Sequence, residues 1–339
     1  MERRKNQSVE LCRIIGALII LGHHSYLLGR RELFVSGWIF VEFFFMITGF
    51  YTAKHFEKTA HGDLSISAST AMGYVYQKVR RLVPFAWAGI LLGLLANLIK
   101  NGLSPRDLLA LPYNMLFLAG STLPIDLPNY DSPLWFVTMI ILFLPPVIIL
   151  MTKLPRAYRH LLCWLIPALF IIYNVIVIGR VAVWESCPSR LMRGAADLML
   201  GTGIFYLARL FCHARPGTIA LHATKALGIV LFGVLSWLAI CSPTGMLDHS
   251  VGFLCLAFLA TLLLLANDQN YLNNDALYRV SMHLGALSMP LFCLHHPVER
   301  LVQLAVPSLC YNTKLLLATA ASLALSEGLM ALWSRRQKH

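Results

Sequence analysis

Ten runs of about 17 to 22 mostly apolar residues recur along this 339-residue chain. At 1.5 Å of helical rise per residue, each is long enough to cross a hydrocarbon core of about 30 Å. The runs are 11–28, 36–53, 82–99, 133–151, 161–178, 192–210, 225–241, 250–266, 284–305 and 314–333. Lipid offers no partner to a backbone N–H or C=O, so such runs must satisfy their own hydrogen bonds as helices. Hydrophobic residues make up 58% of the chain and charged ones 13%, with a mean hydropathy of +0.66, too apolar for a soluble domain. The expected fold is all-α: a polytopic membrane protein with about ten transmembrane helices. No linker, low-complexity tract or fixed-period repeat divides it, so residues 1–339 read as a single membrane domain.

The net charge of +12 describes topology rather than nucleic-acid binding. Placing Arg3, Arg4, Lys5 and the even-numbered connections in the cytoplasm collects most of the Lys and Arg there, with Arg335, Arg336 and Lys338 in the tail. This is the positive-inside bias, and an even number of spans puts both termini in the cytoplasm. Arg30 and Arg31 run against it. Glu10 and Arg13 interrupt the first run and no small-x-small site follows, so it reads as an anchor helix and not a cleaved signal. Eight scattered cysteines show no metal-ligand spacing, so no metal centre is expected; Cys187, Cys241 and Cys310 fall near the non-cytoplasmic side, where pairing is possible. Leu108 to Ala119 is too short to span and suits an interfacial or re-entrant helix. Phosphate-cradling glycine loops are absent, which leaves side chains to hold any nucleotide-bearing ligand. Gly89 and Gly93, like Thr48 and Gly49, suit close helix contact.

Ionisable residues inside spans are costly to insert, by about 2.5 to 3.5 kcal/mol each, and usually serve a pore, a relay or a site. Arg13 and His24 stand eleven residues apart in the first run. Eleven steps of 100° return them to one helical face, roughly 16 Å apart along the axis. The alternative is a snorkelling Arg and a packing His. Glu42, in VEFFFMITGF, needs a partner, for which Arg13 or a histidine is the candidate; a purely structural ion pair is the other reading. Lys78 and Arg81 share a face just ahead of Pro84, either as ordinary positive-inside charge or, with Arg13, as a cationic collar suited to phosphates. LSMPLFCLHHPVERLV carries Ser288, His295, His296 and Glu299, with His295 and Glu299 four apart on one face. Trp135 heads the fourth span, a position also suited to an interfacial anchor. Asp197 and Glu327 are further intramembrane acids with no partner evident from the sequence.

Taken in order, these segments resemble the acyltransferase type-3 family of integral membrane acyltransferases over nearly the whole chain. The family's Arg and His eleven apart match Arg13 and His24, and its second motif resembles WIFVEFFFMITGF with Glu42, Thr48 and Gly49 in place. Lys78 to Pro84, Leu134 to Phe136 and Ser288 to His295 follow in sequence. Met289 and Phe292 stand where the family has tyrosines, Gly37 is displaced, and Glu42 replaces the commoner Asp.

The resemblance implies an enzyme of the bacterial cytoplasmic membrane that moves an acyl group, usually acetyl, from cytoplasmic acyl-CoA to a hydroxyl of a sugar or lipid-linked glycan. On this reading Arg13, Lys78 and Arg81 hold the CoA phosphates. His24 is general base toward the acceptor, or a transient acyl carrier, and Glu42 sets its tautomer. Trp135, Ser288, His295 and Glu299 line the substrate pathway. The bilayer and a carbohydrate acceptor are the expected partners. A transporter or flippase with an intramembrane His/Glu/Arg relay is the alternative of a different class, and a sensor or assembly factor without chemistry is a third.

Overall fold

A computed structural model describes residues 5–29, 34–59, 66–120, 125–179, 187–241, 250–267 and 274–336. Arg3, Arg4, Arg30, Arg31 and Lys338 lie outside these residues, as do the side chains of Cys187 and Arg336. Among the described residues there is no strand. Each of the ten apolar runs falls on a helix: α1 Gln7–His24, α2 Ile39–Thr59, α3 Ala68–Asn101, α5 Trp135–Lys153, α6 Cys163–Ile178, α7 Cys187–His213, α8 Thr218–Cys241, α9 Ser250–Ala266, α10 Asp275–Ala305 and α11 Tyr311–Arg336. The short apolar segment is α4, Pro105–Met115. Seven stretches are long and apolar enough to cross a membrane. The chain is therefore an all-α polytopic membrane protein. Of the other three helices, α9 is only 17 residues long, whereas α2 and α10 are the ones that carry Glu42, Lys54, His295, His296 and Glu299.

Two helices start well before their apolar runs. α3 begins at Ala68, where Ser67 accepts a hydrogen bond from Thr70 N at 3.1 Å, and α10 begins after Asn274, which accepts from the backbone of Ala276 and Leu277. These capped, polar first turns extend the helices beyond the stretch that hydropathy marks.

Side-chain contacts fix the direction of each helix. Along α1 and α10 the backbone N–H of Lys5 donates to Tyr278 Oη, Glu10 fills the space left by Gly285, and His24 meets His295. The two helices therefore run parallel. α3 joins them in the same sense, with Arg81 and Met289 lining one cavity and Gly89, farther along, against the Cys293 carbonyl. α11 returns the other way, bonding Ser25 through Tyr311 at one end and His283 through Glu327 at the other. Both described chain ends consequently lie at one end of the bundle. The small residues act as contact points: a Cβ at Gly49 would strike the Leu198 carbonyl, one at Gly201 the Met46 carbonyl, and one at Gly93 the Tyr130 carbonyl. Neither Cys241 nor Cys310 is disulfide-bonded.

The α2–α7 crossing holds a buried ion pair. Arg193 Nε donates to Glu42 Oε1 at 2.5 Å with both side chains fully buried, and the guanidinium lies 5.5 Å from the Trp38 ring and 5.3 Å from the Trp135 ring. Asp197, one turn after Arg193, adjoins the same pair. This corrects the expected pairing of Glu42 with Arg13 or His24. Its ion-pair partner is a cation 151 positions away.

At the other end of α3, Asp107 organises the approach to α5. Its carboxylate accepts from Tyr130 Oη at 2.7 Å, from Ser104 N at 2.9 Å and from Asn97 Nδ2 at 3.0 Å. These donors, Tyr130 first, hold the carboxyl below its ordinary range, and burial, helped by the Asp107 carboxylate, pushes the tyrosine up.

Two outcomes follow. Arg193→Met leaves Glu42 and Asp197 without their cation and should destabilise the fold by about 3 to 5 kcal/mol in thermal unfolding in detergent, whereas Glu42→Gln should cost less because Asp197 can take over as the anion beside Arg193. Equal losses would show that Asp197 contributes nothing to the pair. For Asp107, a depressed folded pKa gives stability that is present above the unfolded carboxylate value and lost as pH falls through the lower folded one. Asp107→Asn should raise amide exchange in residues 104–116 at neutral pH and remove the acid dependence that the unsubstituted protein shows.

Candidate functional site

Glu10 and Arg13, three apart on α1, form an ion pair at 2.7 Å. Gly285 makes this possible, because a Cβ there would collide with the Glu10 carboxylate. Arg13 is thereby aimed into a cavity of about 530 Å³ at the end of the bundle that holds the chain ends. Lys78 and Arg81 of α3 reach the same cavity, as do Lys5 and Lys54. The expected collar of Arg13, Lys78 and Arg81 is thus assembled in space, with Glu10 as an acid among the cations. Phe44, Ile47, Phe136, Ile140 and Met289 form the apolar wall. The cavity suits a ligand with several negative charges and an apolar or slender remainder.

Farther along α1, His24 stands among imidazoles. Ring centroids lie 5.1 Å away for His23, 5.0 Å for His295 and 5.6 Å for His296. His24 Nδ1 is 3.0 Å from the Ile20 carbonyl, and His295 Nδ1 is 3.1 Å from the Leu291 carbonyl. A carbonyl only accepts, so each Nδ1 carries hydrogen. His295 Nε2, 3.1 Å from His24 Nδ1, is then a lone pair that shares the His24 proton. Its consequence is a His24 Nε2 with an open lone pair, the form a proton acceptor requires. The tautomer is set by Ile20 and His295, not by Glu42. His23 turns aside: its Nδ1 bonds the Phe34 carbonyl at 3.0 Å and its Cβ packs over Gly37.

The acid nearest this cluster is Asp131, just ahead of α5. Its Oδ1 lies 3.8 Å from His296 Nδ1, and the pair is buried. Among the described residues, both Asp131 oxygens, His296 Nδ1 and both Glu299 oxygens lack hydrogen-bond partners. Arg300, the next residue on α10, adds a positive charge beside Asp131 and donates to the Tyr130 carbonyl. Buried carboxylates without donors are costly, so a group that brought hydroxyl or amide hydrogens here would be held favourably.

The remaining expected residues sort clearly. Ser288 is buried and donates to the Gly285 carbonyl of its own helix, one residue before cavity-lining Met289. Trp135, expected along the substrate pathway or at the interface, is buried between Phe45 and the Arg193 guanidinium. Glu327 pairs with His283 at 2.6 Å on an exposed flank. Arg193 and Asp131 escaped the sequence reading. Arg193 stands at the very start of the run 192–210, where it read only as part of the charge distribution, and Asp131 sat in a polar segment with nothing to single it out. Among the described residues no group of three or more His, Cys, Asp or Glu is arranged to hold a metal ion.

The family model for the acyltransferase domain matches residues 6–330, nearly the whole chain. Neither the curated proteins nor the solved structures give a match. The matched span takes in the cationic cavity, the histidine cluster and the ion pair beneath them. The chain belongs to the acyltransferase type-3 family and is a membrane acyltransferase.

Proposed function

We propose that this acyltransferase takes an acyl group, acetyl in the simplest case, from cytoplasmic acyl-CoA and delivers it to a hydroxyl of a carbohydrate or lipid-linked glycan. The reading includes ten spans with both termini in the cytoplasm of a bacterial cell, so that the cationic cavity opens to the CoA pool. One observation carries it: Arg13 and His24 lie eleven residues apart on one helix, with Lys78 and Arg81 joining the first and His295 and His296 the second. That spacing, roughly 16 Å of rise, matches the two ends of an extended cofactor rather than one reacting centre.

Arg13, Lys78 and Arg81 hold the phosphates, and the pantetheine arm runs along the apolar wall toward the imidazoles. His24 Nε2 takes the acceptor's proton as its oxygen bonds the acyl carbon. The C–S bond breaks, and the proton leaves with the CoA thiol. Asp131, through His296, supplies the negative charge that an imidazolium in an apolar bundle requires. Glu299 offers further acceptors to an incoming hydroxyl. Purified protein incubated with radiolabelled acetyl-CoA tests the reaction class, since a transporter or flippase would leave the thioester intact.

Two variants test the division of labour. His24→Ala should lower turnover by about 10² to 10⁴-fold with expression retained, while His23→Ala should be mild because its ring is tied to the Phe34 carbonyl. Full activity in His24→Ala would remove it from the chemistry. Arg81→Gln or Lys78→Gln should raise the KM for acyl-CoA more than it lowers kcat, because the phosphates sit far from the bond being broken. An unchanged KM in both would return these residues to topology alone.

A further inference from the structure

One aromatic layer separates the cavity from the histidine cluster. Phe292 follows Met289, on the cavity wall, by three residues on α10 and precedes His295 by three, about 4.5 Å of rise on either side. Its ring centroid is 6.4 Å from Phe44 and 5.6 Å from Phe136, both cavity-lining, and 6.0 Å from His295. The ring is buried at 4% exposure and does not itself line the cavity. It has no hydroxyl with which to tether itself to the imidazole, so dispersion and ring-edge contacts alone hold it. Met289, beside it, has an unbranched and adaptable side chain.

We infer that Phe292 is the gate and size filter for the acyl group: its ring must move aside for a thioester to reach His24, and the space this opens admits a short acyl chain while excluding a longer one. The inference rests on the proposed use of the cavity for acyl-CoA. Packed around the threaded pantetheine arm, the displaced rings also keep water from the acyl carbon. Without them, water attacks that carbon in place of the acceptor, the C–S bond breaks, and the water's protons are divided between the carboxylic acid and the thiol. Selectivity arises because each extra methylene has to displace packed rings rather than fill open space.

The test compares unsubstituted protein, Phe292→Ala, Phe292→Leu and Phe292→Trp, purified in detergent, with acetyl-CoA and butanoyl-CoA as probes. Release of radiolabelled acid and of product is followed with and without a membrane extract as the acceptor source. Phe292→Ala should raise the butanoyl-to-acetyl ratio of kcat/KM by about tenfold or more and raise acceptor-independent hydrolysis, with the KM for acetyl-CoA nearly unchanged. Phe292→Trp should shift the ratio the other way. Phe292→Leu, closest in volume, should move in the direction of Ala by less, and it decides the matter where Ala fails to fold. An unchanged ratio and unchanged hydrolysis in the folded variants of an active protein overturn the gate. Failure of the unsubstituted protein to turn over either thioester overturns the functional reading instead.

Discussion

Everything in this bundle is arranged around a guanidinium that cannot reach water. Arg193 is wholly buried, bound to Glu42 and flanked by the indoles of Trp38 and Trp135, with Asp197 alongside. A charge so placed tolerates little movement of its partners, because separating the pair would leave both ions in an apolar medium. α2 and α7 are thereby locked in register, and the glycines at their crossing let the backbones approach as closely as that register demands. Trp135, held by the same cation, fixes the start of α5 and so the position of Asp131 and Phe136 on either side. The ion pair sets the frame in which the cavity and the histidine cluster are held.

Within that frame the polar groups separate by chemistry. Cations gather in the cavity at the end of the bundle that holds the chain ends. Imidazoles occupy the interior, and the carboxylates without hydrogen-bond donors lie beside them and one turn farther along α10. The parallel course of α1, α3 and α10 produces this ordering, since each helix contributes a residue to the cavity and a later one to the cluster or its approach.

The helices were legible in the sequence because hydropathy acts locally: each of the ten apolar runs falls on a helix, seven of them long and apolar enough to cross a membrane. The same holds for Arg13 and His24, whose relation is fixed by helical periodicity within a single element. Lys78 and Arg81 could be grouped with Arg13 only by their depth in the membrane, and the cavity brings all three together. The carboxylate partners were not legible. Glu42 required a cation, but the choice of Arg193 over Arg13 depends on which helices cross, information carried by Gly49 and Gly201 jointly and by neither run alone. Asp131 reaches His296 because α3 presents Gly89 to the Cys293 carbonyl, a contact between distant segments.

The bonds from His24 to Ile20 and from His295 to Leu291 have a mechanical consequence. Each imidazole is fastened to the backbone of the helix that carries it, so neither ring can follow the other when the helices shift. The 3.1 Å between His295 Nε2 and His24 Nδ1 is therefore a gauge of how α1 and α10 lean on one another. A bilayer too thick or too thin for this bundle relieves the mismatch by changing helix tilt. A tilt imposed by the lipid would therefore move His295 against His24, while the Ile20 carbonyl keeps the hydrogen on His24 Nδ1.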